Sequence, residues 1–468
     1  MTANSTSDVV VLGGGPGGYV AAIRAAQLGL QVTLVEKEAL GGICLNWGCI
    51  PTKSLLRNAE VISLLQQGDL YGFTFRDLQV DYSAAVDRSR QVVDRMQKGI
   101  ASLMRKHQIR VLEGVGRLVS PREVVVTPNQ GAEAIHIHAR AIIVATGGRA
   151  RTLPGVEVDG DRVMHFRHAL AMRALPRSMV IIGAGPIGVE FASIWRAYGV
   201  DVTLVEMMPH LLPLEDEEVA RELERAFRRR QVRVLTSARV EAVNVHSDGV
   251  QVSVQKEGGE KETLQAEKVL VAIGIQPNTE GIGLQECGVA LDRGWVVVDE
   301  HMRTTVPGIW AVGDVTGKLP LAHVASAQGI LAAEDIAGQS PLGLDYEAMP
   351  RCVYTSPQVA SFGLTETQAR ERGYNVQVGR FPFIANGKAV ALEERSGFVK
   401  LVVDRASGWL LGAHLVGPEV TELVSELVLA RTAELVPEIM VRAVHPHPTL
   451  SETLSEAVRA ALGQALHA

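Results

Sequence analysis

The most regular feature of the chain is a short apolar run that is followed at once by glycines and then by small apolar residues. Residues 8–12 form such a run, 13–18 hold five glycines and one proline, and an alanine-rich stretch continues to about Leu28. A continuous apolar run of this length is typical of a strand buried on both faces of a parallel sheet. The pattern therefore predicts a strand, a tight turn and a helix, with a further strand over 31–35.

The same pattern recurs roughly 170 residues later, with a strand predicted over 178–182, a helix over 189–198 and a strand over 202–206. An internal repeat of this size indicates two domains of the same kind. Further buried strands are predicted over 141–144 and 268–273.

Both repeats carry glycines at one spacing, namely Gly13, Gly15, Gly18 and Gly183, Gly185, Gly188. In each repeat an acid, Glu36 or Glu206, follows 18 residues after the last glycine. Between a strand and a helix, such glycines let the backbone approach a pyrophosphate, and the acid can accept hydrogen bonds from a ribose. Two dinucleotide sites are predicted, and Glu206 favours NAD over NADP at the second.

Beyond residue 349 the hydrophobic pattern changes. It predicts strands over 377–383, 397–403 and 410–416, followed by a helix over 419–435. That order is typical of a separate α+β domain. The predicted fold class is α/β, with two Rossmann-like dinucleotide-binding domains and a C-terminal α+β domain. The expected boundaries are 1–150, 151–278, 279–348 and 349–468.

Two of the four cysteines, Cys44 and Cys49, lie five residues apart between glycines and a proline. On a straight helix they would be displaced by roughly 7.5 Å along the axis, whereas a disulfide needs Cα atoms within about 7 Å. Bridging them requires a break in the helix, which Gly48 and Pro51 can supply. The alternative is a pair of buried thiols.

Composition excludes several classes of protein. The chain has 468 residues, a net charge of −6 and a pI near 6.1, so nucleic acid is not an expected partner. No apolar run of about 18 residues and no basic leader is present, so neither a membrane span nor a secretory signal is expected. With few cysteines, the chain is expected in a reducing cytoplasm.

Two dinucleotide sites and a close dithiol suggest an electron relay from a nicotinamide through a second cofactor, such as a flavin, to a disulfide. The residues that carry a resemblance are 41–53, the two glycine patterns, Ala145-Thr146-Gly147, Gly313-Asp314 and 445–452. On these residues the chain is similar to the flavoprotein pyridine-nucleotide disulfide oxidoreductases. Within that family it most resembles the dihydrolipoamide dehydrogenases, which oxidise dihydrolipoyl groups with NAD.

The resemblance implies FAD at the first glycine pattern and NAD at the second. It also implies that Lys53 lies near the flavin and that Glu190 lies at the nicotinamide. The alternatives are a solvated helix residue for Lys53 and a charge on a helix face for Glu190. Further cofactor contacts are expected from strand ends and from one helix start, at Thr146, Gly147, Gly274, Asp314 and Ala322. For Asp314, a turn or helix-capping role is the alternative.

The resemblance further implies that Cys44 exchanges with substrate while Cys49 faces the flavin. His447 would be the general base, with His445 as a weaker candidate, and Glu452 would orient the base. Thr449-x-x-Glu452 is also a capping box, which alone could explain that acid. Trp47 and Pro446 depart from the usual family pattern.

An obligate homodimer is implied, because in this family the base serves the dithiol of the partner subunit. The expected further partner is the lipoyl-bearing acyltransferase of a 2-oxoacid dehydrogenase complex. Two alternatives stay open: a disulfide reductase with another substrate, using NAD(P)H, and a non-catalytic scaffold component of such a complex.

Overall fold

The computed structural model describes residues 4–131 and 133–467. The chain forms two compact units, each assembled from separated stretches. Unit 1 comprises Met1–Ser54, Ser83–Arg151 and Gly274–Leu344, and unit 2 comprises Leu55–Tyr82, Thr152–Ile273 and Asp345–Ala468. Residues 1–3, 132 and 468, which fall within the predicted first and last domains, lie outside the described residues. The predicted boundaries at 150, 278 and 348 stay a prediction.

The main sheet of unit 1 has six strands, of which five are parallel and one is antiparallel. In spatial order the parallel strands are Ile309–Ala311, Ile135–Val144, Asn4–Leu12, Val32–Glu36 and Arg110–Ser120. Glu123–Pro128 pairs antiparallel with both Arg110–Ser120 and Ile135–Val144. Alternate residues of the first strand enter cores on opposite faces of the sheet, Val9 and Val11 on one side and Val10 on the other, as the continuous apolar run predicts.

Unit 2 holds a second parallel sheet whose strands run in the order Arg233–Leu235, Asp201–Val205, Ser178–Ile182, Lys268–Val271 and Val163–Met164. A three-stranded antiparallel sheet follows Arg233–Leu235 in the chain, with strands Ala238–Val245, Val250–Lys256 and Lys261–Ala266. The predicted internal repeat is thus a repeat of sheet topology.

The C-terminal part of unit 2 is a five-stranded antiparallel sheet. Its strands, in spatial order, are Arg351–Val353, Gln358–Gly363, Leu410–Gly417, Phe398–Asp404 and Val376–Pro382. Two short strand pairs complete the sheets, Gly148–Ala150 with Ile275–Pro277 and Leu291–Asp292 with Trp295–Val296. The predicted α/β class, with two dinucleotide-type sheets and a separate α+β domain, is confirmed.

The longer helices are Pro16–Gln27, Cys49–Leu65, Tyr82–Lys106, Pro186–Ala197, Glu217–Arg229, Ala322–Ile336, Val420–Thr432 and Glu452–Ala461. The shorter helices, including single 3₁₀ turns, are Gly42–Trp47, Gly68–Tyr71, Phe166–Ala171, Gly313–Thr316, Glu366–Glu371, Phe383–Ala385, Gly387–Ala391 and Pro437–Met440. Within residues 4–131 and 133–467, none combines the length and apolar character that a membrane span needs.

Small residues decide how the first helix packs in unit 1. A Cβ placed on Gly17 would lie 3.2 Å from the backbone oxygen of Ala325, and one on Gly329 would overlap the oxygen of Gly17. Without side chains at these points, the helices Pro16–Gln27 and Ala322–Ile336 approach closely, and the alanine-rich sequence of both is explained.

Candidate functional site

The first glycine turn, residues 13–18, lies in unit 1 between the first strand and helix Pro16–Gln27. Gly13 has φ +105°, a conformation that residues with a Cβ rarely adopt. A Cβ on Gly18 would overlap the backbone oxygen of Gly13. These glycines are therefore required by the turn itself, and the helix begins with its N–H groups directed toward the space over the turn.

The acid Glu36 holds this turn in place. One carboxylate oxygen accepts a hydrogen bond from the N–H of Gly14 at 2.6 Å, and the other accepts one from the N–H of Glu38 at 2.7 Å. Each oxygen keeps a lone pair for a ligand hydroxyl. The placement fits the predicted ribose contact, which stays a prediction.

A second pair of glycines, Gly41 and Gly42, closes over the first turn. Both have positive φ, +94° and +57°, and a Cβ on Gly42 would lie 2.7 Å from the Cα of Gly15. The two backbone segments are therefore in direct contact, and no side chain fits between Gly15 and Gly42; a surface made of backbone alone beside the turn fits the close approach of a pyrophosphate. The sequence analysis assigned no role to Gly41 and Gly42, although two consecutive glycines just before the dithiol could have indicated a close backbone contact.

Asp314 lies in the 3₁₀ turn Gly313–Thr316, where the last strand of the unit 1 sheet ends. Burial raises the pKa of its carboxyl to about 6. An acid whose pKa is raised by burial is costly to ionise and commonly marks a ligand contact. Together with the glycine cradle, it fits an FAD group in unit 1, with the acid available to ligand hydroxyls.

The strand end at Thr146 and Gly147 is clamped by Asn278, a residue not among the predicted contacts. The side-chain amide of Asn278 donates to the backbone oxygens of Thr146 and Gly148, both at 3.0 Å, and its backbone oxygen accepts from the Thr146 hydroxyl at 2.7 Å. Gly274 has φ +100°, and its oxygen accepts from the N–H of Arg151. The predicted strand ends are therefore joined in unit 1.

Ala322 is the first residue of helix Ala322–Ile336, so its N–H lies at a helix N-terminus, as the predicted backbone contact requires. Lys53 lies in the first turns of helix Cys49–Leu65, on the same unit as the first glycine turn. The contacts of both residues with a cofactor stay predictions.

The dithiol spans a break between two helices. Helix Gly42–Trp47 ends at Gly48, whose φ of −144° and ψ of −113° are not helical, and helix Cys49–Leu65 begins directly after it. Pro51 lies in the first turn of that helix, where its missing N–H costs no bond. The hydroxyl of Thr52 donates to the oxygen of Gly48 at 2.7 Å and fixes the junction. The predicted break therefore lies at Gly48.

Both cysteines are present as thiols rather than as a disulfide, and the side chains of Cys44 and Cys49 are hydrogen-bonded to each other. The bond to Cys49, and then burial, raise the pKa of Cys44 well above its usual value, and Lys53 acts in the opposite direction. A raised thiol pKa disfavours the thiolate, so exchange at Cys44 calls for a base or a disulfide partner.

The second glycine turn, residues 183–188, lies in unit 2 and repeats the first in detail. Gly183 has φ +99°, and a Cβ on Gly188 would overlap the oxygen of Gly183. Buried Glu206 accepts from the N–H of Ala184 at 2.7 Å and from that of Met208 at 2.9 Å. A Cβ on Gly185 would meet no atom within 4 Å, so the space over this turn is open.

Glu190 lies one turn into helix Pro186–Ala197, and only 4% of its surface is exposed. Its carboxylate accepts a hydrogen bond from the N–H of Tyr354 at 3.1 Å. Burial argues against an ordinary charge on a solvated helix face. Its predicted position at the nicotinamide stays a prediction.

His447 and Glu452 form a pair in unit 2, with 3.0 Å between Nδ1 and the carboxylate. The other oxygen of Glu452 accepts from the N–H of Thr449 at 2.8 Å, and this bond, followed by the bond to His447, holds the pKa of Glu452 below its usual value. Glu452 therefore contacts both the His447 ring and the backbone N–H of Thr449. The other hydrogen bond of the predicted capping box, from the N–H of Glu452 to the Thr449 hydroxyl, is wrong, because that hydroxyl donates to the oxygen of Pro446 and the helix begins at Glu452.

The two histidines differ in exposure. The side chain of His447 is 77% exposed, whereas that of His445 is 9% exposed, with its Nε2 2.8 Å from Glu426. An exposed imidazole whose second nitrogen is held by a carboxylate suits proton transfer to a substrate.

The predicted site residues fall into two groups. Unit 1 contains the dithiol, the first glycine turn and Asp314, and unit 2 contains the second glycine turn, Glu190 and the pair His447 and Glu452.

Two family descriptions match the chain. Residues 7–329 match the pyridine nucleotide-disulphide oxidoreductase family, and residues 349–458 match the pyridine nucleotide-disulphide oxidoreductase dimerisation domain. Among solved structures, LpdA from Mycobacterium tuberculosis has a TM-score of 0.90 at 30% identity, over 97% of this chain and 99% of that one.

The curated relatives are similar over nearly their whole length. A dihydrolipoyl dehydrogenase of Zymomonas mobilis is 48% identical over 98% of this chain and 99% of its own, and one of Bacillus subtilis is 44% identical over the same shares. These matches confirm the predicted family, the predicted oxidoreductase class and the predicted cofactors. The chain belongs to the pyridine nucleotide-disulphide oxidoreductases, enzymes that use FAD and NAD.

Proposed function

We propose that the protein is a dihydrolipoyl dehydrogenase that converts dihydrolipoamide and NAD⁺ into lipoamide, NADH and a proton. The observation that carries the proposal is the hydrogen-bonded pair Cys44 and Cys49, set across a helix break in the unit that contains the first glycine turn. The relatives named dihydrolipoyl dehydrogenase support the same substrate.

Thiol exchange accounts for the role of each cysteine. A substrate thiolate attacks the Sγ of Cys44 in the oxidised pair, which forms a mixed disulfide and releases Cys49 as a thiolate. The second substrate thiolate then closes the lipoamide ring and releases Cys44. The two electrons of the substrate are left on the dithiol, and bound FAD supplies the relay that passes them to NAD.

His447 moves the protons. Its Nε2 takes a proton from a substrate thiol and returns it to Cys44, whose high pKa makes it a good acceptor. Glu452 holds Nδ1 and stabilises the imidazolium. In the proposed sites, FAD lies at Gly13, Gly15, Gly18 and Asp314, and NAD lies at the second turn with Glu206 on its ribose.

The first test is the reduction of NAD by dihydrolipoamide with flavin-loaded protein. We expect turnover with NAD and little with NADP, and a loss of at least about 10³-fold in kcat for Cys44→Ser. Cys287→Ser is the matched control, because this half-buried thiol lies elsewhere in unit 1. Turnover that survives Cys44→Ser would refute the dithiol mechanism, whereas lost turnover with retained assembly would separate catalysis from a scaffold role.

The other alternative is a reductase for a different disulfide, and the fold of a hypochlorous acid-induced flavoprotein disulfide reductase, RclA from Escherichia coli, is similar, with a TM-score of 0.86 at 28% identity. Absence of turnover with dihydrolipoamide, combined with reduction of the flavin by NADH, would favour this alternative.

We also propose a homodimer in which His447 of one protomer serves the dithiol of its partner, supported by the match to a dimerisation domain. Mixing Cys44→Ser and His447→Ala protomers tests this arrangement. A heterodimer with shared sites regains one intact site, whereas sites built within one protomer stay inactive. Activity that fails to return after exchange of protomers would contradict the shared site.

The proposed physiological partner is a lipoyl-bearing acyltransferase of a 2-oxoacid dehydrogenase complex, and the proposed location is the cytoplasm. The support is the substrate itself, since lipoyl groups are presented on such subunits. Co-purification with an acyltransferase whose lipoyl group the enzyme reoxidises is the test.

A further inference from the structure

A row of polar residues crosses the C-terminal sheet of unit 2, one from each of its five strands. The strand register places them side by side as Arg351, Ser361, His414, Lys400 and Arg380. Three of the five strands, Gln358–Gly363, Leu410–Gly417 and Phe398–Asp404, are otherwise mostly buried and apolar at their centres. A polar row at such a place requires partners.

The partners lie in one short segment of the same unit. Arg351 donates to Glu215 at 2.9 Å, and the Ser361 hydroxyl donates to the other oxygen of Glu215. Lys400, 2% exposed, contacts Asp216 at 3.2 Å and Glu218 at 2.6 Å. The row thus holds residues 215–218 at several points.

The electrostatics of the row are balanced. Burial alone would lower the pKa of Lys400, but Glu218, Asp216 and Glu366 outweigh burial and leave that pKa above its usual value. Burial lowers the pKa of the neighbouring His414, whose Nε2 donates to the oxygen of Leu364 at 2.9 Å. A neutral imidazole beside a charged lysine avoids a buried repulsion.

The held segment leads directly to the second glycine turn. Loop 207–216 starts after Glu206 and comes back to the second glycine turn at Leu212. The N–H of Leu212 donates to the oxygen of Ala184 at 3.0 Å. The N–H of Glu215 in turn donates to the oxygen of Leu212 at 2.9 Å. The peptide at Ala184 is therefore held by Glu206 on one side and by the loop on the other.

Loop 207–216 would not hold this shape by itself. Leu212 has φ +48°, which is unfavourable for a residue with a Cβ, and it is 2% exposed. Such a conformation persists only where the surroundings impose it. The polar row supplies that constraint at the C-terminal end of the loop.

We propose that the polar row is a positioning device for the dinucleotide at the second turn, and that Arg351 and Lys400 are positioning residues for NAD. The inference rests on the proposed function, which puts NAD at this turn. The residues act through Glu215, Asp216 and the loop rather than by touching the ligand.

The test is anaerobic reduction of the flavin by NADH in flavin-loaded, full-length protein, which needs no dihydrolipoamide. We expect the Kd for NADH to rise roughly tenfold in Arg351→Met, within the usual range of coupling between sites. Ser361→Ala, which removes one bond to Glu215, should give a smaller rise. The KM for dihydrolipoamide should stay within about twofold, and Arg351→Lys, which keeps the charge, should recover part of the affinity.

Arg372→Met is the matched control, because it breaks an exposed ion pair with Glu347 in the same part of unit 2. If this control raised the Kd equally, or if the folded Arg351→Met and Ser361→Ala proteins kept the wild-type Kd, the inference would be overturned. Failure of NADH to reduce the wild-type flavin would instead overturn the proposed function.

Discussion

The two glycine turns share their local geometry and differ in what surrounds them. Gly15 and Gly185 begin their helices with nearly the same φ, −69° and −70°, and Glu36 and Glu206 bond to the turns at 2.6 and 2.7 Å. Over the first turn lies Gly42, whereas a Cβ on Gly185 would meet no atom within 4 Å. The same local sequence is therefore built into an enclosed site and an open one.

The difference suits two ligands with different lifetimes on the enzyme. In the proposed FAD site, a pyrophosphate beside two glycine segments that pack on each other would gain contacts from both segments and leave slowly, as a resident flavin must. In the proposed NAD site, an open turn, held from behind by Glu206 and by loop 207–216, would let a nicotinamide dinucleotide enter and leave in each cycle. Local sequence sets the turn, and the surroundings set how long the ligand stays.

The largest expected effect comes from one substitution made at both turns. Gly15→Ala places a methyl group where the backbone is proposed to meet the pyrophosphate, and Gly42, packed against Gly15, leaves the turn little room to shift. We expect loss of bound flavin and of activity. Gly185→Ala should keep the flavin and weaken NAD by about 10- to 100-fold, since charge-assisted hydrogen bonds contribute roughly 1.5–3 kcal/mol.

The ratio of flavin absorbance to protein absorbance, followed by titration with NADH, distinguishes the two variants. Equal flavin loss in both would contradict the contrast between an enclosed and an open turn.

The next effect concerns the acid beside the first turn. The pKa of Asp314 is raised to about 6 by burial, so the ionised carboxylate destabilises the folded, flavin-free protein above that pH. From an ordinary value near 4, the cost is at most about 3 kcal/mol. Asp314→Asn should therefore stabilise flavin-free protein at pH 7.5, and the gain should disappear as the pH falls from 6 to 4.

Urea unfolding of the flavin-free protein at pH 7.5 and pH 4.5 measures this gain. A gain that is the same at both pH values would show that ionisation of the carboxyl is not its cause. In the flavin-loaded protein the same substitution should lower the affinity for FAD.

A smaller effect is expected from the two acids that hold the turns. Glu206→Gln should raise the Kd for NAD about tenfold and reduce the preference for NAD over NADP, because a neutral amide no longer repels a 2′-phosphate. Glu36→Gln should speed flavin release and leave the Kd for NAD unchanged. Titrations with NADH and NADPH, with flavin release measured in parallel, check both; a change in NAD affinity in the Glu36 variant would break the separation of the sites.

The smallest effect should be equal in the two repeats. Gly29 and Gly199 follow the two helices with φ +84° and +89°, and a Cβ on either would meet no atom within 4 Å. Gly29→Ala and Gly199→Ala should each lower the free energy of unfolding by about 1–2 kcal/mol through backbone conformation alone. Denaturant unfolding measures both, and unequal losses would mean that the repeats differ locally as well.

Local patterns predicted the parts of the site that are themselves local. The turns at Gly13 and Gly183 follow from a spacing within six residues, and the break at Gly48 follows from the reach of a disulfide. The predicted capping box is wrong in part, because the Thr449 hydroxyl donates to the oxygen of Pro446. Competition between nearby acceptors is not readable from residue spacing.

The polar row could not be predicted because its members come from five strands between residues 351 and 414 and hold a segment near residue 216. One signal was available: Lys400 stands alone as a cation inside the otherwise apolar run 398–403. A lysine at the centre of a buried strand requires carboxylate partners, but sequence does not say which ones. The contact between Gly42 and Gly15 could not be predicted either, because only the fold brings these two residues together.

The strand order has a consequence for biosynthesis. The parallel sheet around the second turn draws all its strands from residues 163–271, whereas the sheet around the first turn is completed by Ile309–Ala311, far downstream of its other strands. Because a chain folds as it leaves the ribosome, the sheet of the later repeat can close first. The main sheet of unit 1 then stays incomplete, with one edge of Ile135–Val144 uncovered, while more than 150 residues are translated after Val144.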